Sequence, residues 1–197
     1  MQNLTALTNN MSQRAQTSGF LHDTWESRQK DEWLTPRHII TSLGPFDLDP
    51  CSPIKRPWPT AKRHYTVIDD GLSKPWSGRV FLNPPYGRAT IHWMQRLKEH
   101  GNGIGLVFAR TETALFFKCI WPYAHALLFL KGRLAFSHVD GSCGGHAGAP
   151  SCLVAYGEHN AETLRTCHLP GVFVTRYEVF TENVKLNLKQ YCHDTSQ

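Results

Sequence analysis

The chain has 197 residues, 41% of them hydrophobic, and carries a formal net charge of +5. That is enough apolar material for one domain with a sizeable core, and the modest basic excess suits a nucleic-acid partner without requiring one. No stretch approaches the ~20 apolar residues of a membrane span, and the start lacks a basic flank followed by an apolar run, so a cytoplasmic protein is expected.

Residues 1–28 are rich in Thr, Asn, Gln and Ser with little apolar periodicity, and read as a polar, flexible segment. The globular part is expected over 29–182, followed by a tail at 183–197. Thr35 is a helix-capping type, Pro36 suits a first turn and Gly44 suits an end, so Thr35–Leu43 reads as a short helix. Residues 45–50 read as a short strand ending at Pro50. Residues 52–64 hold Pro53, Pro57 and Pro59 among Lys55, Arg56, Lys62 and Arg63, which predicts a basic, irregular loop. Residues 65–68 and 80–82 read as further strands, ending before Asp69-Asp70-Gly71 and Asn83.

Ile91, Trp93, Met94 and Leu97 mark one face of a helix over 89–100, closed by Gly101. Residues 104–108 form a buried-type strand and 113–123 a helix. Strands follow at 126–130 and 151–156, with 133–136 turning back from the first. The glycine-rich stretch 137–148 reads as a flexible loop. A last strand or hairpin covers 172–180, and 158–197, the stretch left to provide a separate recognition domain, reads partly as sheet edge. Strands alternating with helices, then late antiparallel strands, give an α/β class with a mostly parallel sheet and an antiparallel edge.

The cysteines at 51, 119, 143, 152, 167 and 192 show no C-x-x-C spacing and read as reduced thiols. Cys143, His146 and Cys152 match no standard zinc pattern, so no metal is expected.

Asn83-Pro84-Pro85-Tyr86 follows an apolar strand and precedes a helix, where open α/β sheets place their ligands. An exocyclic amino group is a poor nucleophile because its lone pair is delocalised. The Asn83 side-chain oxygen and the Pro84 carbonyl can grip its two N–H bonds and localise that pair, with Pro84 and Pro85 stiffening the loop. Tyr86 offers a face on which a flipped base can stack. The plain alternative is a proline turn closed by a core tyrosine. The specificity of four residues in this context favours the catalytic reading.

Several pieces occur in order along the chain. They are Asp31-Glu32-Trp33-x-Thr35-Pro36, Phe46-Asp47-Leu48-Asp49-Pro50-Cys51, Asp70-Gly71-Leu72 with Trp76, Asn83-Pro84-Pro85-Tyr86-Gly87, Arg110-Thr111-Glu112-Thr113 and Gly132-Arg133-Leu134-x-Phe136. Together they resemble phage-type Dam-like DNA N6-adenine methyltransferases over about residues 31–156. The resemblance implies a Rossmann-like, S-adenosylmethionine-dependent methyltransferase fold that acts on double-stranded DNA. It also implies cofactor contacts. Asp49 and Cys51 lie on a turn that lacks the usual glycine. Asp70 would read the cofactor's adenine, with Leu72 packed on the ring. Trp33, Thr35 and Pro36 would lie at the methionine end, and Asn83 would border the same site.

For Asp49, Asp70, Trp33 and Thr35 the alternatives are a strand end, a turn, a packing residue and a helix cap. Lys55, Arg56, Arg88, Arg110, Lys131 and Arg133 are candidates for DNA phosphates; for Arg110, a helix cap built from Thr111, Glu112 and Thr113 is the alternative. Phe136 reads as a core hairpin residue before a stacking surface. Rival functions are methylation of RNA or of protein glutamine, and a catalytically inactive nucleic-acid-binding module. With little chain left for a recognition domain, a short target site or none is expected. A monomer is the simplest state.

Overall fold

The computed structural model describes residues 33–175. Seven strands form one sheet in the order β2-β1-β3-β4-β8-β5-β9. They are β1 (Leu48–Asp49), β2 (Arg63–His64), β3 (Val80–Leu82), β4 (Gly103–Phe108), β5 (Ala126–Leu130), β8 (Ser151–Tyr156) and β9 (Gly171–Val174). A separate hairpin is made by β6 (Ala135–Ser137) and β7 (Cys143–His146). β2, β1, β3 and β4 are parallel neighbours, and β8 runs against both β4 and β5. Five strands therefore share one direction. The two reversed ones are β9, at the expected antiparallel edge, and β8, which lies inside the sheet.

Alternation along the strands feeds two cores. Phe81, Ile104, Leu106 and Leu153 point to the face covered by α1 (Arg37–Leu43) and α3 (Glu158–Thr166). Val80, Leu82, Val107 and Val154 point to the face covered by α2 (Thr90–His100) and a π-helix, Phe116–Ile120. Gly105 lets α2 lie close on β4. A Cβ there would meet the Met94 sulfur at 2.9 Å.

Several expected elements are realised differently. α1 begins at Arg37, with Pro36 at the cap position and no side-chain cap bond, so Thr35 does not cap it. The second strand is Arg63–His64 rather than 65–68. Thr66 donates its N–H and its hydroxyl to the Asp69 carboxylate at 2.8 and 2.9 Å, closing a turn that competes with a strand and leaves Val67 and Ile68 exposed. Within 113–123 the Trp121 N–H reaches the Phe116 carbonyl at 2.8 Å, a π-type bond. The Tyr156 hydroxyl takes the Cys119 carbonyl at 2.6 Å, and so diverts a helix acceptor. The glycine-rich loop holds β7, and helix α3 falls in the stretch that reads partly as sheet edge. Of the last strand, 172–174 lies in β9; residues 176–180, and the segments 1–28 and 183–197, lie outside the described residues.

At the amino end of β3 the Arg79 side chain is 8% exposed. Its Nε donates to Asn160 Oδ1 at 2.7 Å, its Nη1 to the Leu43 and Pro45 carbonyls at 2.9 and 3.0 Å, and its Nη2 to Thr163 Oγ1 at 3.2 Å. The guanidinium also covers the Phe46 ring at 4.3 Å. A fork with fixed donor directions is needed here, and lysine cannot reproduce it. Arg79→Lys is expected to lose about 2–4 kcal/mol in denaturant unfolding, because buried acceptors lose their donors. The exposed Arg165→Lys should stay within about 0.5 kcal/mol.

Candidate active site

β1, β3 and β4 lie close together in the sheet, with β3 between the other two. Their carboxyl ends therefore present Asp49, Asn83 and Phe108 along one edge. The chain leaves β1 toward β2 on one side and returns to β3 on the other, which makes this edge a topological switch point, the usual ligand crevice of open α/β sheets.

Asn83 is held by the segment 33–36. Its Nδ2 donates to the Trp33 carbonyl at 3.2 Å. A carbonyl only accepts, so the amide nitrogen must face it and Oδ1 is turned the other way. The Tyr86 hydroxyl lies 3.4 Å from that oxygen. Burial raises the Tyr86 pKa, so the hydroxyl stays protonated. Pro84 is buried, and the Pro85 carbonyl accepts from the Thr90 hydroxyl at 2.7 Å, which ties the loop to α2.

The segment 33–36 is itself strapped through main-chain atoms. Leu34 exchanges both backbone bonds with Ser137 at 2.8 and 3.0 Å, and the Thr35 carbonyl accepts from Trp58 Nε1 at 3.3 Å. The Thr35 hydroxyl is buried and has no hydrogen-bond partner among the described residues.

Tyr86 stacks on Phe108 at 4.0 Å and 15°, and meets Phe136 edge-on at 6.2 Å. One face of the tyrosine is thus taken by Phe108. A base that stacks on Tyr86 uses the other face or displaces Phe108. Trp33, Tyr86, Phe108 and Phe136 line an apolar cavity of about 170 Å³, with residues 145–148 of the hairpin as its rim. Phe136 is both buried, as expected of a hairpin core residue, and part of this wall. Sequence reasoning missed Phe108; its only signal was its place at the end of a buried strand beside the Asn83 loop.

Asp49 is 3% exposed. Its Oδ1 accepts from the Cys51 N–H at 3.0 Å, and its Oδ2 from the Thr60 hydroxyl. Burial raises its pKa to about 6, against the hydrogen bonds from Thr60 and Cys51 and the charge of Arg56. Burial also pushes the Cys51 thiol to about 12, so it is no thiolate at neutral pH.

The 70–72 turn packs directly on this one. A Cβ on Gly71 would come within 1.9 Å of the Pro50 carbonyl, so only glycine permits the contact, and Leu72 packs into the adjoining core. Asp70 is exposed at a left-handed φ of 51°, and its carbonyl accepts from the Ser73 amide and hydroxyl. Asp49, Cys51, Asp70 and Leu72 thus belong to two touching turns.

Of the cation candidates, Lys55, Arg88, Arg110, Lys131 and Arg133 are exposed. Arg133 is bonded to the Ala147 carbonyl at 3.0 Å. Arg56 folds back on the Pro53 carbonyl at 2.8 Å, and its charge is felt at Asp49 and His64. The Thr113 hydroxyl bonds the Arg110 carbonyl at 2.7 Å instead of capping a helix. Cys143 and His146 sit on exposed β7 while Cys152 is buried in β8, so these residues form no cluster.

The family model for DNA N-6-adenine-methyltransferase (Dam) matches residues 23–163, most of the chain and all of this site. The chain belongs to the Dam family. DNA N6-adenine methylation is the general activity of that family. No curated protein and no solved structure matches the chain. Among the described residues no helix is long and apolar enough to cross a membrane.

The buried Asp49 carries a testable sign. Its folded pKa lies above the unfolded value, so the folded state holds the proton more tightly. Stability falls as pH rises from about 4 to about 6 and stays lower above that range. Without ligand, Asp49→Asn is expected to be about 1–3 kcal/mol more stable than the parent at pH 7.5. The gain should shrink toward pH 4 in denaturant unfolding.

Proposed function

We propose that this Dam-family protein transfers the methyl group of S-adenosylmethionine to N6 of an adenine flipped out of duplex DNA. The observation that carries the reading is Asn83, whose amide nitrogen is committed to the Trp33 carbonyl while its oxygen lies 3.4 Å from the hydroxyl of Tyr86, one of the rings that line the aromatic cavity. In this reading Asn83 Oδ1 and the Pro84 carbonyl accept the two N–H bonds of the target amine. They draw its nitrogen toward tetrahedral geometry and localise the lone pair. Trp33, Tyr86, Phe108 and Phe136 exclude water and hold the base plane. The site needs no enzyme nucleophile, in keeping with the neutral Cys51 thiol.

The residues present fit the cofactor. Among the described residues the buried Asp49 carboxylate is bonded by neutral donors, which suits a cationic ligand, and the buried Thr35 hydroxyl lacks a partner. Asp49 and Cys51, with Asp70 and Leu72 on the touching turn, would hold it on one side. Thr35, Pro36 and Trp33 would close the other. When bound, S-adenosylmethionine supplies a methyl group already activated on a sulfonium. The two turns pack Gly71 against Pro50, which accounts for a cofactor turn that contains no glycine of its own. The fold is read as the Rossmann-like methyltransferase type, with helices on both faces of the sheet.

Lys55, Arg88, Arg110, Lys131 and Arg133 would meet phosphates, while Arg56 belongs with the Asp49 pocket as much as with DNA. Phosphate contacts position a duplex without reading it, so a short target site or none follows. The place of action is read as the cytoplasm.

The deciding experiment offers duplex DNA, RNA and protein to the enzyme with methyl-labelled cofactor. Label is expected on duplex DNA as N6-methyladenine, and label on RNA or protein alone would overturn the reading. Asn83→Ala should bind cofactor normally and lose about 2.7–4 kcal/mol of transition-state stabilisation. Tyr86→Phe should stay active, because only a 3.4 Å hydroxyl contact is lost. Tyr86→Ala should lose about 1–3 kcal/mol of stacking, measured as kcat/KM. Equal behaviour of the two tyrosine variants would remove the stacking role.

A further inference from the structure

The basic part of the loop between β1 and β2 was expected to serve DNA, yet Thr60 of that loop turns inward. Thr60 is 5% exposed, and its hydroxyl donates to Asp49 Oδ2. His64, which pairs with Asp49 across β1 and β2, accepts the Thr60 and Ala61 N–H groups at its Nε2, both at 3.3 Å. An imidazole nitrogen that accepts two amides is unprotonated. Burial, together with the Arg56 charge, lowers the His64 pKa to about 4, so it keeps that role through neutral pH. His64 therefore fixes the backbone from which the Thr60 hydroxyl reaches Asp49.

We propose that Thr60 is a positioning residue for the cofactor. Its hydroxyl, held in place through His64, fixes one Asp49 oxygen so that the carboxylate meets a cationic ligand in a single orientation. The inference rests on the reading of Asp49 as a cofactor carboxylate and extends it to a residue with no contact to substrate. The donor also favours the ionised acid, which is the form that attracts a cation. Among the described residues, Cys51 beside Asp49 is a neutral thiol at neutral pH, His64 is neutral, the Arg56 charge acts on Asp49, and Asp70 stands exposed on the turn against Pro50. Asp49 is then the group whose ionisation sets the pH dependence of binding.

The test is calorimetric titration of the full-length protein with S-adenosylmethionine from pH 5 to 7.5. Affinity is expected to rise through a midpoint near 6. Thr60→Val and Thr60→Ala should move that midpoint upward by about half to one unit. Thr60→Ser should restore it. A purely structural role would change the melting temperature and leave the midpoint in place. A folded Thr60→Val or Thr60→Ala protein with the parent's midpoint overturns the proposal. Should both variants fail to fold, the isotope-edited carboxylate titration of Asp49 in Thr60→Ser and in the parent decides. Matching midpoints near 6 support the role, and a displaced one in the serine variant overturns it. Asp49→Asn separates the two levels. If it binds cofactor as the parent does, the Asp49 assignment falls and this proposal with it. If it binds weakly while the Thr60 variants keep the parent midpoint, only the Thr60 role falls.

Discussion

Arg79 enters the sheet one residue before β3, and its guanidinium gathers the end of α1, the entry to β1 and the side of α3 through neutral oxygens alone. A buried charge is tolerated only when its donors are satisfied, so these elements must close around it together. β3 is three residues long. Fixing its start fixes its end, and Asn83 stands about 13 Å further on at 3.3 Å per residue. The placing of Asn83 at one edge of the sheet thus depends on a clamp at the other, with Asp47 as the shared neighbour. Asp47 accepts the Arg79 amide at 2.8 Å and pairs with Lys62 at 2.9 Å, and so joins the clamp to the loop that carries Thr60.

The site forms where three strand ends meet two turns and a strap. Each contributes a different quality. The strand ends give fixed spacing, the Gly71–Pro50 contact brings two loops to van der Waals range, and segment 33–36 orients the Asn83 amide. The hairpin tip closes against the same proline-rich loop, since a Cβ on Gly141 would lie 3.1 Å from Pro57. The candidate site residues sit largely on loops, but the loops are anchored by short, specific bonds to rigid elements, as a preorganised site requires.

What the sequence made legible follows physical lines. α2, β4, β5 and β8 were readable because a long apolar period or run leaves one solution. The Asn-Pro-Pro-Tyr loop stood out by its residue types, and the fold places it directly after β3. Short elements were not. β2 is two residues long, and its position was decided by Thr66 and Asp69 closing a turn nearby. β7 was hidden by glycines whose lack of side chains lets Gly144 pass beneath Trp33; a Cβ would come within 2.6 Å of that indole. α3 has few apolar residues, and its existence rests on Asn160, fully buried to serve Arg79, Asn102 and Tyr156. Phe108 and Thr60 stand out only through contacts made across the fold.

The strap that orients Asn83 acts through the Trp33 carbonyl, both backbone groups of Leu34 and the Thr35 carbonyl. Every amino acid brings the same carbonyl to such a bond. The identity of residue 33 is therefore free to follow the cavity it lines, while the hold on the carboxamide passes unchanged from one side chain to another. A protein of this design can alter the shape of its pocket by point substitution at position 33 without disturbing the hold on the Asn83 carboxamide. It loses that hold by shortening the chain past this segment, even though every strand of the sheet would remain.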